Sequence, residues 1–349
     1  IGTEARLPVS AGKSFHEGDG FTVKPIRLKF TRCPEEVGID SRRLYAFDSV
    51  ALSGVKNGAY PGCQVIGVRK GIVFYNRSFG YQTYDNKTPV TDFTVYDMAS
   101  VTKIMASTLS IMKLYDEGKL RLEDSLSAYI PGLCNTDKSK ITVKDAMMHQ
   151  AKLTPWIPFY TRTTRTDSLR QVYYSAKFSK DFTLQVTEEM YLRGDYRDTI
   201  FDEIYKSPLL SKKEYRYSDL GLILCGEMIS KIVGTSLDNY ARESFYRPLG
   251  ANYTCFNPLN YFDISRIAPT ENDTIFRKKQ VHGYVHDQAA AMFGGVAGHA
   301  GLFSNAIDMA KLCQMLLNKG EYGGVRYIQS STIELFTKTD EKSPKNRRG

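Results

Sequence analysis

The chain around Ser100 reads Tyr96-Asp97-Met98-Ala99-Ser100-Val101-Thr102-Lys103 and continues into an apolar segment that extends to Leu114. This pattern predicts a loop that feeds a helix, with Ser100 at or near the first helical turn. Side chains three residues apart on a helix share a face, so Ser100 and Lys103 are expected to lie side by side. A serine hydroxyl becomes a strong nucleophile only when a base takes its proton. A lysine can be that base when burial and neighbouring positive charge favour its neutral form. The stretch therefore predicts a nucleophile beside an amine at the start of a helix.

The Ser-x-x-Lys spacing is weak evidence by itself, because three other pairs in the chain share it. They are Ser10/Lys13, Ser53/Lys56 and Ser110/Lys113. Ser100 differs in its surroundings, which include two candidate strands upstream, an apolar helix downstream and a Tyr-Ser-Asp triplet further along. The catalytic prediction rests on that combination.

The composition is that of a globular chain long enough for a sizeable core. Its 349 residues are 42% hydrophobic and 24% charged, which excludes a disordered chain. No run of about 18 apolar residues occurs, so the sequence predicts no transmembrane helix. The net charge is +9, but basic residues are scattered among acidic ones. That distribution favours an ordinary surface over a polyanion-binding one.

The six cysteines lie far apart and show no C-x-x-C spacing of the kind that binds metals. They are Cys33, Cys63, Cys134, Cys225, Cys255 and Cys313. Apolar neighbours around Cys225 and Cys313 predict buried free thiols. The pattern leaves the redox compartment open, and the sequence predicts neither a metal nor another cofactor.

A helix and a hairpin precede the Ser100 stretch. Asp40 or Ser41 can cap a helix whose apolar residues recur at helical spacing as far as Val55. Two β-rich runs follow, at 63–69 and 72–79, and predict a β-hairpin. Two strands alone are marginal in stability. The hairpin is therefore expected to need further strands, and no candidate partner strand is evident in the rest of the sequence.

A second polar motif lies at 215–221 and reads Tyr-Arg-Tyr-Ser-Asp-Leu-Gly, ahead of another apolar helix. The phenol of Tyr217 can hydrogen-bond to a nucleophile or a leaving group and carry a proton. Asp219 can pair with Lys103, and a carboxylate there favours the charged lysine. Two assignments stay open: Lys103 as the base, or a charged Lys103 with Tyr217 as the working base.

The most informative loop covers residues 282–304. It contains Val-His-Asp at 285–287 and then Gly-Gly-Val-Ala-Gly-His-Ala-Gly-Leu-Phe-Ser at 294–304. So many small residues predict a tight loop that passes close to another element. His286 and Asp287 can form a metal pair, but two ligands without a third argue against a metal site.

These motifs resemble the serine β-lactamase and penicillin-binding-protein superfamily, in particular its class C-like, esterase-like branch. Members of that branch carry Ser-x-x-Lys at a helix start, Tyr-x-Asn or Tyr-Ser-Asn/Asp-Leu-Gly, and a Gly-His-Ala-Gly-Leu-Phe-Ser loop. The resemblance covers residues 31–349, which it implies are one domain. The implied fold is α+β and β-lactamase/transpeptidase-like, with an antiparallel sheet flanked by helices and a mainly helical region at about 118–290.

The resemblance also implies a serine hydrolase that forms an acyl-enzyme. Ser100 would attack an ester or amide carbonyl while Lys103 and Tyr217 move the proton. The Ser100 backbone N–H would supply half of an oxyanion hole. Asp219, and His299 with Gly301 in the small-residue loop, would support these groups. Esterase, D-amino-acid peptidase and β-lactamase are not separated by the motifs.

The chain departs from the family pattern in two places. Ala-Lys-Leu at 151–153 replaces the usual Ser-Gly-Leu after His149, which the family pattern places in a scaffold turn and which we interpret as structural. The third motif, Lys/His-Thr/Ser-Gly on a strand, has no match, because Lys338-Thr339-Asp340 lacks the glycine. The chain ends where that strand is expected, so C-terminal strands are predicted to be missing. A non-catalytic module that recognises peptidoglycan fragments therefore remains the competing interpretation.

Residues 160–216 are rich in aromatic and basic side chains, a mixture that can indicate stacking on nucleic acid. Acidic residues are nearly as numerous there, which argues against a polyanion groove. We expect a helical cap that shapes the substrate pocket, and no nucleic-acid partner.

Residues 1–30 are expected to be a tail or linker. Arg-Leu-Pro-Val-Ser-Ala at 6–11 and Gly-Asp-Gly at 18–20 resemble the closing segment of family 3 glycoside hydrolases, and an ordinary linker is the alternative. The resemblance implies a covalently linked N-terminal domain of the β-N-acetylhexosaminidase type. It further implies a bacterial protein of the periplasm or cell envelope that acts on muropeptides or related acyl groups.

Overall fold

The computed structural model describes residues 3–23 and 27–338. The end of the chain, including Thr339 and Asp340 of the third-motif remnant, lies outside the described residues. The strands are β1 (Thr3–Arg6), β2 (Gly20–Val23), β3 (Lys29–Phe30), β4 (Gly62–Arg69), β5 (Ile72–Gly80), β6 (Tyr96–Asp97), β7 (Tyr174–Ser175), β8 (Phe182–Thr187), β9 (Met190–Arg193), β10 (Cys255–Phe256), β11 (Glu271–Asp273), β12 (Lys279–Val281), β13 (Leu302–Ser304), β14 (Glu321–Tyr322) and β15 (Val325–Arg326). The α-helices are α1 (Tyr45–Lys56), α2 (Leu109–Asp116), α3 (Val143–Met147), α4 (Thr161–Thr164), α5 (Asp167–Tyr173), α6 (Tyr196–Lys206), α7 (Asp219–Val233), α8 (Leu237–Ala241), α9 (Arg247–Leu249), α10 (Gln288–Met292), α11 (Ala306–Leu317) and α12 (Ser330–Thr337).

The chain divides into two compact units. The first contains the residues up to Asp92 together with Ala306–Tyr327, and the second contains Phe93–Asn305 and the residues from Ile328 onward. Each unit is formed by two separate stretches of chain.

The first unit contains the predicted hairpin. Strands β4 and β5 pair antiparallel from Gly62 opposite Gly80 to Arg69 opposite Ile72, with a bulge at Gly67/Val68. A third strand was not foreseen: β3 pairs parallel with β5, with Lys29 opposite Ile72. The partner therefore lies upstream of the hairpin, and at two residues it is too short to give an alternating sequence pattern.

Helix α1 matches the predicted helix. Asp40 caps the turn before it, because its Oδ1 accepts the N–H of Arg42 at 3.0 Å. Ala51 is buried, whereas Phe47 and Val50 are exposed. The apolar spacing thus predicted the helix correctly. It also implied that the apolar side chains are buried, and within the described residues several of them are exposed.

The second unit is built around α7. Its residues from Leu220 to Ile229 are all buried, so this helix is enclosed on every side for almost three turns, and Glu227 is the one charged residue of that stretch. It packs against α3, α8 and a π-helical segment, Lys103–Thr108, which precedes α2. Gly234 ends the helix in the left-handed conformation, with φ of 70°.

Small sheets surround these helices. Strand β13 lies between β10 and β6, antiparallel to both. The cap predicted as helical at 160–216 has helices α4, α5 and α6, but it also contains the antiparallel sheet β7-β9-β8. Its strands have two to six residues and pair irregularly, which obscures a period-two pattern in the sequence.

All six cysteines are free thiols, and two are buried, Cys225 and Cys255. The prediction for Cys225 is confirmed, and the prediction for Cys313 is wrong because Cys313 is exposed. In α11 the buried residues Leu312 and Met315 face the core, and Cys313 points away from them.

Among residues 3–23 and 27–338, no single helix is both long and apolar enough to cross a membrane. One pair of helical segments, Asp219–Val233 with Leu237–Leu249, meets the length and composition test jointly but is bent by 74°.

Candidate active site

Ser100 lies in a short 3₁₀ turn, Ala99–Val101, which leads into the π-helical segment and α2. This turn is held at both ends by side chains. Asp97 Oδ1 accepts the Ala99 N–H at 2.7 Å, and Thr102 Oγ1 donates to the Ala99 carbonyl at 2.7 Å. Ala99 has a φ of 45°, which an L-residue adopts only when its surroundings enforce it. Ser100 is thereby presented at the protein surface on a rigid turn.

Lys103 lies one turn after Ser100 and is buried. Its Nζ donates to Ser100 Oγ at 2.9 Å and to the His299 carbonyl at 3.0 Å, and lies 2.7 Å from Asp219 Oδ1. Three oxygens surround the amine, as many as an ammonium has N–H groups. The surroundings therefore match a charged Lys103.

Tyr217 approaches the same serine from another part of the chain. Its hydroxyl donates to Ser100 Oγ at 2.9 Å, and its ring centroid lies 5.0 Å from Lys103 Nζ. Ser100 Oγ thus has two donors at equal distance. An alkoxide formed there would be stabilised by both.

His149 packs against Tyr217, and among the described residues it forms no hydrogen bond with Ser100. The two rings are 4.6 Å apart between centroids, and His149 Nδ1 accepts the Ser218 N–H at 3.1 Å. Burial and the charge of Lys103 lower the pKa of His149, so the ring is neutral at physiological pH. Its place between the turn and the tyrosine agrees with the structural interpretation. Lys152, at the position where glycine is usual, has a φ of 60°.

The small-residue loop packs against α7 as its composition predicted. A side chain on Gly298 would place its Cβ 2.0 Å from the Leu222 carbonyl, so the loop and helix backbones touch. Gly301 has a φ of 115°, and a Cβ there would lie 2.2 Å from the Gly295 carbonyl. This close approach positions the His299 carbonyl that Lys103 contacts.

The polar residues of 285–287 do not form a metal pair. Asp287 Oδ1 accepts from His299 Nε2 at 2.7 Å, whereas His286 Nε2 lies 3.4 Å from Glu271. Within the described residues, no group of three or more His, Cys, Asp and Glu side chains could hold a metal ion. Burial by itself would raise the pKa of Asp287. The contact with His299 and the nearby charge of Lys103 outweigh burial and hold the pKa of Asp287 well below its usual range.

The structure thus connects five of the six residues predicted for the site by direct contacts: Ser100, Lys103, Tyr217, Asp219 and His299. Gly301 lies in the same loop as His299 but packs against Gly295. Sequence reasoning missed three contributors. Asp97 supports the nucleophile turn, and Asp287 is bonded to His299. Trp156 borders a cavity beside Asp219. The first two stand in quoted motifs, next to predicted residues, and Trp156 could have been noticed as the one tryptophan of the chain.

The sequence profile of the Beta-lactamase family matches residues 47–348. A protein of Salmonella typhi, named provisionally as a D-alanyl-D-alanine carboxypeptidase, is 32% identical in an alignment of 334 positions that covers 88% of this chain and 72% of the relative. The chain belongs to the β-lactamase family. It is a serine hydrolase of the β-lactamase/carboxypeptidase type.

Solved structures agree with this fold. The octameric penicillin-binding protein homologue of Pyrococcus abyssi superposes with a TM-score of 0.62 at 21% identity, over 85% of this chain and 60% of the other. FmtA of Staphylococcus aureus gives a TM-score of 0.62 at 17% identity, over 88% of this chain and 72% of its own. The predicted β-lactamase/transpeptidase-like fold is confirmed. The boundaries at residues 30 and 31 and the glycosidase fusion remain predictions.

Proposed function

We propose that Ser100 is the nucleophile of an acyl-transfer reaction that ends in hydrolysis. The observation that carries the proposal is the position of Ser100 Oγ, 2.9 Å from both Lys103 Nζ and the Tyr217 hydroxyl. An activated serine needs one group that takes its proton and another that stabilises the charge left behind. Two such groups meet at this atom.

The two groups have different roles in this proposal. Asp219 keeps Lys103 in its ammonium form, and the ammonium stabilises the negative charge that develops on Oγ. Tyr217 relays the proton. Its hydroxyl donates to Ser100 Oγ in the resting structure, and it turns toward the leaving group as the substrate binds, so that its oxygen receives the hydrogen of Ser100 while its own hydrogen passes to the leaving group. The Ser100 oxygen bonds to the substrate carbonyl carbon, the leaving group departs with the proton, and an acyl-enzyme remains. A water then takes the place of the leaving group, and the relay runs in reverse.

The carbonyl oxygen of the substrate needs donors while it carries charge. The Ser100 backbone N–H is our candidate for one of them, since Ser100 lies in the first turn of the helical segment, where backbone N–H groups have no carbonyl partner within the helix. The second donor of the superfamily comes from the third motif, whose closest sequence remnant, 338–340, lies mostly outside the described residues.

The substrate class that we propose is a D-alanyl peptide or muropeptide of the bacterial cell wall. The provisional names of the Salmonella relatives support it, and they share 32% of their aligned residues with this chain. Esters and β-lactams are the alternatives, because acylation of a serine is common to all three. A kinetic panel of D-Ala-D-Ala peptides, p-nitrophenyl esters and a chromogenic cephalosporin would separate them. Tight muropeptide binding without any turnover would instead indicate a non-catalytic module.

Covalent labelling tests the nucleophile. A fluorophosphonate or fluorescent penicillin probe should label the protein at Ser100, and the Ser100→Ala variant should lose the label. Ser53→Ala is the matched control, because Ser53 is exposed and has the same Ser-x-x-Lys spacing with Lys56. Undiminished labelling of Ser100→Ala would reject the assignment.

The linked glycosidase and the cell-envelope location belong to the same proposal. A β-N-acetylhexosaminidase removes sugars from cell-wall fragments, and the peptides of these fragments are the substrates that we propose for the Ser100 site. Joining the two active sites in one chain raises the effective concentration of the product of one site at the other site. The coding sequence upstream of residue 1 tests the fusion. A start codon and signal peptide immediately before Ile1 would contradict it.

A further inference from the structure

The Tyr217 hydroxyl donates to Ser100 Oγ, yet the tyrosine is 42% exposed. A partly exposed side chain samples several rotamers unless a neighbouring group restrains it. Within the described residues, the ring and cation neighbours of the phenol ring are His149 and Lys103. Lys103 approaches with its Nζ, at 5.0 Å, whereas His149 presents a flat ring. The imidazole is therefore the group that can hold the phenol in one orientation.

His149 contacts the chain around Tyr217 in four ways. Its carbonyl accepts the Arg216 N–H at 2.8 Å, and its Nδ1 accepts the Ser218 N–H at 3.1 Å. Its ring centroid lies 4.6 Å from that of Tyr217 and 6.0 Å from that of Tyr215. One residue thus holds the backbone on both sides of Tyr217 and also one face of the phenol.

His149 is itself fixed by the backbone around it. It follows α3, has a φ of 54°, and donates its N–H to the Ala146 carbonyl at 3.2 Å. A left-handed backbone at a residue other than glycine persists only where the surrounding contacts enforce it. Helix α3 in turn packs closely against α7, since a Cβ on Gly221 would lie 3.0 Å from the Ala146 carbonyl. The imidazole therefore sits on a rigid support.

The hydrogen bond to Ser218 requires a neutral imidazole. Because Nδ1 accepts the Ser218 N–H, the neutral ring carries its hydrogen on Nε2. A second proton would make Nδ1 a donor that faces another donor, and this hydrogen bond would be lost. Protonation of His149 would therefore loosen the segment that carries Tyr217.

The groups around the imidazole favour its neutral form. The charge of Lys103 opposes a second proton and that of Asp219 favours one, whereas the phenols of Tyr215 and Tyr217 carry no charge near neutral pH. Burial, together with the charge of Lys103, lowers the pKa of His149 below its usual value. The neutral ring is therefore the form present at neutral pH.

We propose that His149 is a positioning residue for acylation: its neutral imidazole holds the Tyr217 hydroxyl at Ser100 Oγ, and a proton on the imidazole releases it. His149 acts through Tyr217 and not on the reacting atoms. The proposal rests on the proposed role of Ser100 as the nucleophile. It gives the histidine a kinetic role in addition to its place in the turn, and it makes acylation sensitive to acid.

The His149→Asn variant removes the ring and keeps the backbone. Asparagine tolerates a positive φ, and its amide oxygen can accept the Ser218 N–H. The rate of Ser100 labelling by a fluorophosphonate is measured against probe concentration. We expect the maximal rate constant to fall about tenfold or more and the half-saturating concentration to change less than about threefold, because the hydroxyl is misplaced while binding persists. An unchanged maximal rate constant would overturn the proposal.

A double-mutant cycle shows whether His149 acts through Tyr217. Once Tyr217→Phe has removed the hydroxyl, its position no longer matters. We therefore expect the double variant, Tyr217→Phe with His149→Asn, to be labelled within about twofold of the rate of Tyr217→Phe alone. A further loss as large as that of His149→Asn by itself would mean an effect independent of Tyr217, and it would overturn the proposal.

The pH dependence of labelling tests the protonation in the unmodified protein. Because the pKa of His149 is lowered from 6.5, we expect the wild-type rate to fall between about pH 6.5 and about pH 5. His149→Asn should lack this fall. His16→Asn should retain it, since it removes an imidazole that is 70% exposed and lies beside Asp19. No fall in the wild type, or the same fall in His149→Asn, would overturn the proposal.

The positioning role and the nucleophile assignment fail in different ways. Undiminished labelling of Ser100→Ala rejects the nucleophile. Labelling that requires Ser100 but proceeds at the wild-type rate in His149→Asn keeps the nucleophile and rejects the positioning role. Circular dichroism shows whether His149→Asn is folded, and if it is not, the pH profile of the wild type decides.

Discussion

Arg277 is the most consequential buried charge outside the catalytic residues. It is 2% exposed, and its Nε donates to Asp273 Oδ2 at 2.7 Å. Its remaining groups donate to the carbonyls of Val285 and His286, at 2.6 and 2.7 Å, and to Glu271 at 2.8 Å. One guanidinium thus connects β11 to the segment that leads into Asp287. Replacing Arg277 by Met keeps much of the volume and removes every one of these bonds.

The expected loss is about 3–5 kcal/mol of unfolding free energy, the usual effect of removing one partner of a buried ion pair. Burial raises the pKa of Asp273, but its bonds from Arg277 and from three backbone N–H groups outweigh this and lower it to about 2. A carboxyl group whose pKa is lower in the folded than in the unfolded protein stabilises the fold at any pH above its unfolded pKa of about 4. That stabilisation is lost as the pH falls from about 4 to about 2. The difference between wild type and variant should therefore shrink over that interval.

Urea unfolding followed by Trp156 fluorescence measures this loss, because Trp156 and Arg277 belong to the same unit. A loss of about 3–5 kcal/mol moves the midpoint by roughly 1–2 M. Lys206→Met is the control: Lys206 pairs with Asp202 at 3.2 Å, but its side chain is 78% exposed, so a loss below about 1 kcal/mol is expected. The reasoning is refuted if the Arg277→Met midpoint shifts no further than that of the control.

Three further outcomes follow from the site. Tyr217→Phe should lower kcat by roughly 10²–10⁴-fold with little change in thermal unfolding, since the side chain is 42% exposed; an unaltered kcat would remove the proton relay. Gly301→Ala should lower the unfolding temperature more than Gly118→Ala. Gly118 also has a positive φ but has open space around it, so equal shifts would contradict a clash at Gly301. The lowered pKa of His149 means that its contribution to stability is present above about pH 6.5 and is lost as the pH falls below it. Urea midpoints at about pH 5 and pH 7.5 should therefore differ less in His149→Asn than in the wild type, and an identical difference would exclude His149 as the cause.

Local features of the site could be predicted because they follow from the period of the backbone. A helical turn brings residues three apart onto one face, so the spacing of Ser100 and Lys103 was enough to place Nζ near Oγ. The β4-β5 hairpin likewise followed from two runs of β-forming residues around Lys70.

Other features required the family resemblance in addition to the residues. Tyr217 lies 117 residues from Ser100, and His299 lies 196 from Lys103. No period relates positions so far apart. The motifs named these residues, but the distances between their atoms come from how α7 and the small-residue loop pack together.

What the sequence by itself determined is the chemistry and the local geometry: a serine and a lysine on one helical face, a hairpin, and a loop too tight for larger residues. Only the tertiary structure decided which distant groups meet. It placed Arg277 against Asp273, turned Cys313 away from the core, supplied β3 as a strand partner, and brought Trp156 beside Asp219 and Asp287. The physical reason is that a local pattern depends on a few neighbouring dihedral angles, whereas contacts between distant residues depend on the free energy of packing a whole unit at once.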